Sequence, residues 1–174
     1  MDAKGCNVGG LAAEILARPA FVVSSTKTEV ELVAVSAAEL GFKTDTVTLT
    51  AIYARARELG FKLAAAEVGP QLRLQYFDQP PGEFLTVGME PIKTWSGEPV
   101  ILNVANGGAG LVLIGQDGRA DAENSVFSRF LFLRSKEAVP ADGLETTAAL
   151  PPRGGVQKEI PQRSGAPKPV QLDQ

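Results

Sequence analysis

The chain contains no histidine. That absence removes serine–histidine and cysteine–histidine nucleophilic catalysis, histidine-ligated zinc and the imidazole pH switch. Any general acid or base is then Asp, Glu, Lys, Tyr or the one cysteine, Cys6. A lone cysteine closes no disulfide within the chain and builds no four-thiolate zinc site. Such sparse cysteine fits a reducing compartment, and pairing between molecules is its remaining covalent option. No run approaches the ~20 apolar residues of a membrane helix. Met1-Asp2-Ala3-Lys4 is not the opening of a strong signal peptide, and Glu14 and Arg18 break the apolar stretch behind it. The reading is a cytoplasmic protein with no membrane segment. The formal net charge is −3. Nonspecific binding to a phosphate backbone needs clustered Lys and Arg, so nucleic acid is not an expected partner. Neither a metal nor a cofactor is expected.

What the sequence does hold is ordinary globular material. Of 174 residues, 44% are hydrophobic and 21% charged, enough for one domain with a real core. All the aromatics lie between Phe21 and Phe132. Beyond Arg134 there are six prolines, four glycines and no Phe, Trp or Tyr. Such a segment buries too little apolar surface to repay its ordering entropy. The expected division is an N-terminal segment with a short helix (1–27), a single body (28–134) and a Pro/Gly-rich disordered tail (135–174). No two tail prolines have PxxP spacing, which removes the main support for an SH3-type ligand; Pro151-Pro152-Arg153 is either a short contact motif or plain solvated linker.

Leu11 to Ala17 reads as a short helix stopped by Arg18-Pro19. Phe21-Val22-Val23 is either a small strand or cover for the core. Glu29 to Leu32 alternates as a half-buried strand does, and Val33-Ala34-Val35 continues it as a buried one. Ser36-Ala37-Ala38-Glu39-Leu40-Gly41 has the serine, glutamate and glycine of a capped single turn. Thr48 to Leu59 carries Leu49, Ile52, Ala56 and Leu59 on one stripe, with Gly60 as terminator. Residues 66–76 fit either period and lean to helix, because Pro70 suits a first turn. Strand-like runs then cover Leu85 to Met89, Val100 to Val104, Leu111 to Ile114 and Val126 to Arg134. Asn106-Gly107-Gly108 marks a hairpin. The fold class expected is α+β: short helices packed on an antiparallel sheet of three to five strands.

Three stretches carry a resemblance: Ala38-Glu39-Leu40-Gly41-Phe42-Lys43, Ile52 through Gly60, and Ala66 through Tyr76. With Asp78-Gln79-Pro80, Gly82-Glu83 and Met89-Glu90-Pro91-Ile92, they resemble a small bacterial domain family of uncharacterised function. The resemblance covers roughly residues 30–134. It implies a self-contained domain and transfers no catalytic residue, cofactor or partner.

Candidate sites stand beside plainer explanations. Glu67, Asp78, Glu83 and Glu90 bracket the middle of the body, and two of them facing each other would supply an acid and a base. Dispersed, they are solvated charges, caps or turn residues. Asp117 to Asn124 offers oxygen ligands to a hard cation but lacks the EF-hand order, which favours a polar loop. Asn106 to Gly110 has no Gly-Lys-Ser/Thr behind it, so it reads as a turn and not a phosphate cradle. Ser24-Ser25-Thr26-Lys27 places hydroxyls by a lysine without an oxyanion pattern. Gln71, Arg73, Gln75 and Tyr76 form a polar–aromatic group. Arg73 there faces a partner or pairs with a carboxylate inside the fold. Trp95, beside Ser96-Gly97, is a recognition residue if exposed and core if not. The leading expectation is a non-enzymatic binding domain for another protein near Arg73, Gln75, Tyr76 and Trp95. The alternative is a carboxylate-dependent hydrolase or small-ligand binder using Glu67, Glu83 or Glu90.

Overall fold

A computed structural model describes residues 5–134 and the strand at 170–172. The elements follow in the order β1 (Asn7–Val8), α1 (Gly10–Leu16), β2 (Thr28–Val30), β3 (Leu32–Ser36), β4 (Thr46–Thr48), α2 (Leu49–Glu58) and β5 (Phe61–Lys62). They continue with α3 (Val68–Arg73), β6 (Phe84–Val87), β7 (Ile92–Lys93), β8 (Pro99–Gly107), β9 (Gly110–Asp117), β10 (Glu123–Ser125), β11 (Arg129–Arg134) and β12 (Val170–Leu172). The remainder of the 135–174 tail lies outside the described residues.

The local rules operate as written. Ser36 and Glu39 form the capping box: the Glu39 carboxylate accepts from Ser36 N at 3.0 Å, and Glu39 N donates to Ser36 Oγ at 3.1 Å. It closes a hydrogen-bonded turn instead of a helix, and Gly41 leaves that turn at φ +110°. Thr48 caps α2 by accepting from Ala51 N at 3.3 Å. Leu49, Ile52 and Ala56 of the apolar stripe are buried, and Gly60 follows at φ +92°. The ambiguous 66–76 stretch is the helix α3 at its centre. Phe21-Val22-Val23 joins no strand, and Val22 and Val23 are exposed.

The expected antiparallel sheet of three to five strands is corrected to an eight-stranded mixed sheet. Its path runs β1-β9-β8-β6-β11-β3, with β5 added on β11 and β7 on β8. β1 runs parallel to β9, and β6 runs parallel to β11. Two smaller ribbons, β10-β4 and β12-β2, stand apart from it. The difference has two physical sources. The two-residue strands β1, β5 and β7 are too short to show any period. The last strand, β11, inserts between β3 and β6 instead of extending the hairpin before it.

Both faces of the main sheet are covered. Val100 to Ala105 of β8 are all buried, as a central strand requires. On one face α1 and α3 lie over Leu102 and Leu113. The approach is so close that a Cβ on Gly69 would come within 2.9 Å of Leu102 Cδ1. On the other, Phe130 and Phe132 stack at 6.2 Å, and Tyr53 of α2 meets Phe132 edge-on at 6.0 Å.

Candidate functional site: a cleft at the start of two parallel strands

Parallel strands begin at the same end of a sheet. The β6/β11 pairing sets Arg129 beside Leu85, so the segments entering both strands converge. Between them lies a cleft of about 400 Å³, lined by Gly82, Glu83, Phe84, Ser125, Phe127, Ser128 and Arg129. Each wall has a local cause. Gly82 turns the chain at φ +89°, its amide donating to Asn106 O at 2.7 Å. Asn106 N returns a bond to Glu83 O at 3.0 Å, which fixes the Glu83 backbone. On the opposite wall Ser128 N bonds Ser125 O at 2.9 Å, and Phe127 N bonds Ser125 Oγ at 3.1 Å. That turn projects Phe127 outward, 76% exposed, while Phe84 is 48% exposed.

Two of the lining residues carry a buried atom without a hydrogen-bond partner, Glu83 at Oε2 and Arg129 at Nε. Arg129 Nη2 reaches back to Ala34 O at 3.3 Å. The Tyr76 hydroxyl is hydrogen-bonded to Glu83; burial raises its pKa most, and the Glu83 bond and charge raise it further.

Arg73 supports this region from beneath. It is fully buried. Its Nη1 donates to Gln79 Oε1 at 2.6 Å and to Ala105 O at 2.9 Å, and its Nη2 donates to Tyr76 O. Gln79 Nε2 in turn donates to Val104 O at 3.0 Å and Glu83 O at 3.2 Å. The guanidinium thus ties the 76–83 segment to β8 through neutral oxygens. Burial lowers its pKa, opposed mainly by neighbouring Cys6. Cys6 is itself buried, its thiol 3.8 Å from Arg73 O.

The other sequence-selected residues are dispersed. Glu67 is buried and accepts from Ser24 N at 2.9 Å. Glu90 is exposed, 3.7 Å from Arg57, and lines a separate hollow of about 290 Å³ with Tyr53 and Arg119. Gln75 and Asp78 are exposed. Trp95 sits in the β7–β8 hairpin, 68% exposed. Arg18 covers one ring face at 3.9 Å, and Trp95 N donates to Glu14 Oε1 at 2.7 Å. In the 117–124 loop, Asp117 is occupied by Arg119 at 2.7 Å. Ser24 Oγ bonds Thr26 O at 3.0 Å within its own turn. Among the described residues no three His, Cys, Asp or Glu side chains converge as a metal site.

Of the predicted candidates, the fold therefore gathers Tyr76, Glu83 and, beneath them, Arg73. Phe84, Phe127 and Arg129 were missed. The available signal was two phenylalanines beside turn residues, but their convergence depends on the parallel pairing.

No family model, curated protein or solved structure matches the chain. What the cleft does is read from its own geometry.

Proposed function

We propose that the chain is a non-enzymatic binding domain whose partner is another protein, engaged at the cleft between Glu83 and Arg129. One observation carries this reading: Glu83 and Arg129, an acid and a base, line a cleft together with the exposed phenylalanines Phe84 and Phe127. Exposed aromatics and arginine are the residue types that anchor interfaces. The hydrolase alternative loses support because Glu67, Glu83 and Glu90 have separate partners and surroundings. Among the described residues no helix is long and apolar enough to cross a membrane. The cytoplasm is the proposed location, on the single cysteine and its burial. A nucleic-acid partner is disfavoured by the net charge of −3.

The test is selection from a random peptide library on the full chain. Enriched peptides are expected to bind Phe127→Ala at least about tenfold more weakly than wild type, the scale of a lost aromatic anchor. Trp95→Ala is expected to bind them unchanged. Failure to enrich any sequence, or equal binding by Phe127→Ala, overturns the proposal.

A further inference from the structure

β2 does not belong to the main sheet. Its only strand partner among the described residues is β12, antiparallel, with Val170 opposite Val30, Gln171 opposite Glu29 and Leu172 opposite Thr28. β12 also lies against α3. We propose that β2 and α3 form a strand-accepting site, and that its resident occupant is the chain's own segment Val170–Leu172, held in cis and exchangeable with a free segment of the same sequence. This inference is independent of the cleft and does not rest on it.

The physical basis is the weakness of the ladder and the covalent link between its two strands. A two-stranded ribbon is marginal by itself, and this one is three residues long. An edge strand nevertheless presents a row of amides and carbonyls that any extended segment can complete. From residue 135 to residue 169 the tether carries six prolines, four glycines and no aromatic residue. Because Val170–Leu172 belongs to the same chain, its pairing with β2 is intramolecular and is favoured over that of a free peptide. A contact too weak to retain a free peptide is then populated within one molecule. Opening it breaks no covalent bond and leaves the eight-stranded sheet intact. The tail therefore sets how often the β2 edge is open to an extended strand from elsewhere.

Two measurements on the full chain test this. In Glu29→Cys/Gln171→Cys the thiols stand opposite each other, while in Glu29→Cys/Val170→Cys they point to opposite faces. Mild oxidation is expected to give a 29–171 disulfide within one molecule, in at least about fivefold higher yield than the offset pair, because the alternation of faces separates the two. Equal yields, or a 29–171 disulfide joining two molecules, overturn it, the second result meaning exchange between copies. Exchangeability is read with a fluorescein-labelled peptide of residues 166–174. Val170→Pro/Leu172→Pro removes two backbone donors from the resident strand. That variant is expected to bind the peptide about tenfold more tightly than wild type, because its tethered competitor is gone. Equal affinity overturns the proposal.

Discussion

Tyr53 holds Met89 twice. Its hydroxyl donates to Met89 O at 2.8 Å and accepts from Met89 N at 3.0 Å, both within the core. This residue pair joins α2 to the segment leaving β6. Tyr53→Phe strands a buried amide and a buried carbonyl while preserving the ring packed on Phe132. Each such group costs about 1–3 kcal/mol. Urea unfolding of the full chain should show a loss of about 2 kcal/mol or more. A variant as stable as wild type contradicts the assignment.

Alkaline pH should expose the same bond. Burial is the main cause of raised pKa values at both Tyr53 and Tyr76, whose ordinary value is 10.0. A group with a raised folded pKa binds its proton more tightly when folded. Its contribution is fully present below the unfolded pKa of 10.0. It is lost as pH climbs above that value toward the folded one. Stability should therefore fall above pH 10, with tyrosinate absorbance near 295 nm rising together with unfolding. Ionisation of both tyrosines at their ordinary value in a still-folded chain contradicts this.

Arg73 should be irreplaceable. Arg73→Leu removes the guanidinium bonds to Gln79 Oε1, Ala105 O and Tyr76 O. The expected loss is about 2 kcal/mol or more, at about 1–3 kcal/mol for a buried acceptor left unpaired. Arg73→Lys should recover less than half of it, because an ammonium lacks the planar fork that spans three acceptors. Thermal melts of the two variants decide; full rescue by lysine counts against the fork geometry.

Gly88 and Gly108 should respond unequally to alanine. A Cβ at Gly88 would stand 2.4 Å from Phe132 Cε1 and 2.9 Å from Leu131 O, whereas at Gly108 it meets nothing within 4 Å. Overpacking costs about 1–3 kcal/mol. Gly88→Ala should fall in or above that range, and Gly108→Ala should be neutral in the same denaturation assay. Equal effects would mean the β6 end yields more readily than its contacts imply.

These residues also show how far the sequence could be read. The capping box at Ser36 and Glu39, the α2 helix with Leu49, Ile52 and Ala56 inward, and the strand runs were visible because each is a local pattern with a local cause; Leu59, placed on the same stripe, is instead the exposed C-cap of α2. The sheet was not, because its organisation rests on β11 entering between β3 and β6. A pairing between residues 129–131 and 85–87 leaves no periodic trace in either segment. The site inherits that limit. Tyr76 and Glu83 were selectable by type and proximity in the chain. Phe127 and Arg129 join them only through the parallel register. Arg73 was expected to face a partner or to pair with a carboxylate inside the fold; α3 lies over the sheet and buries it, bonded to neutral oxygens instead.

The most direct measurement of cleft binding is a ¹H–¹⁵N shift titration of the full chain with a library-selected peptide. Saturable shifts are predicted for the amides of Glu83, Phe84, Phe127, Ser128 and Arg129, lost in Phe127→Ala. Shifts confined to the Trp95 hairpin or to the hollow at Glu90, with the 83–84 and 125–129 amides unmoved, contradict it.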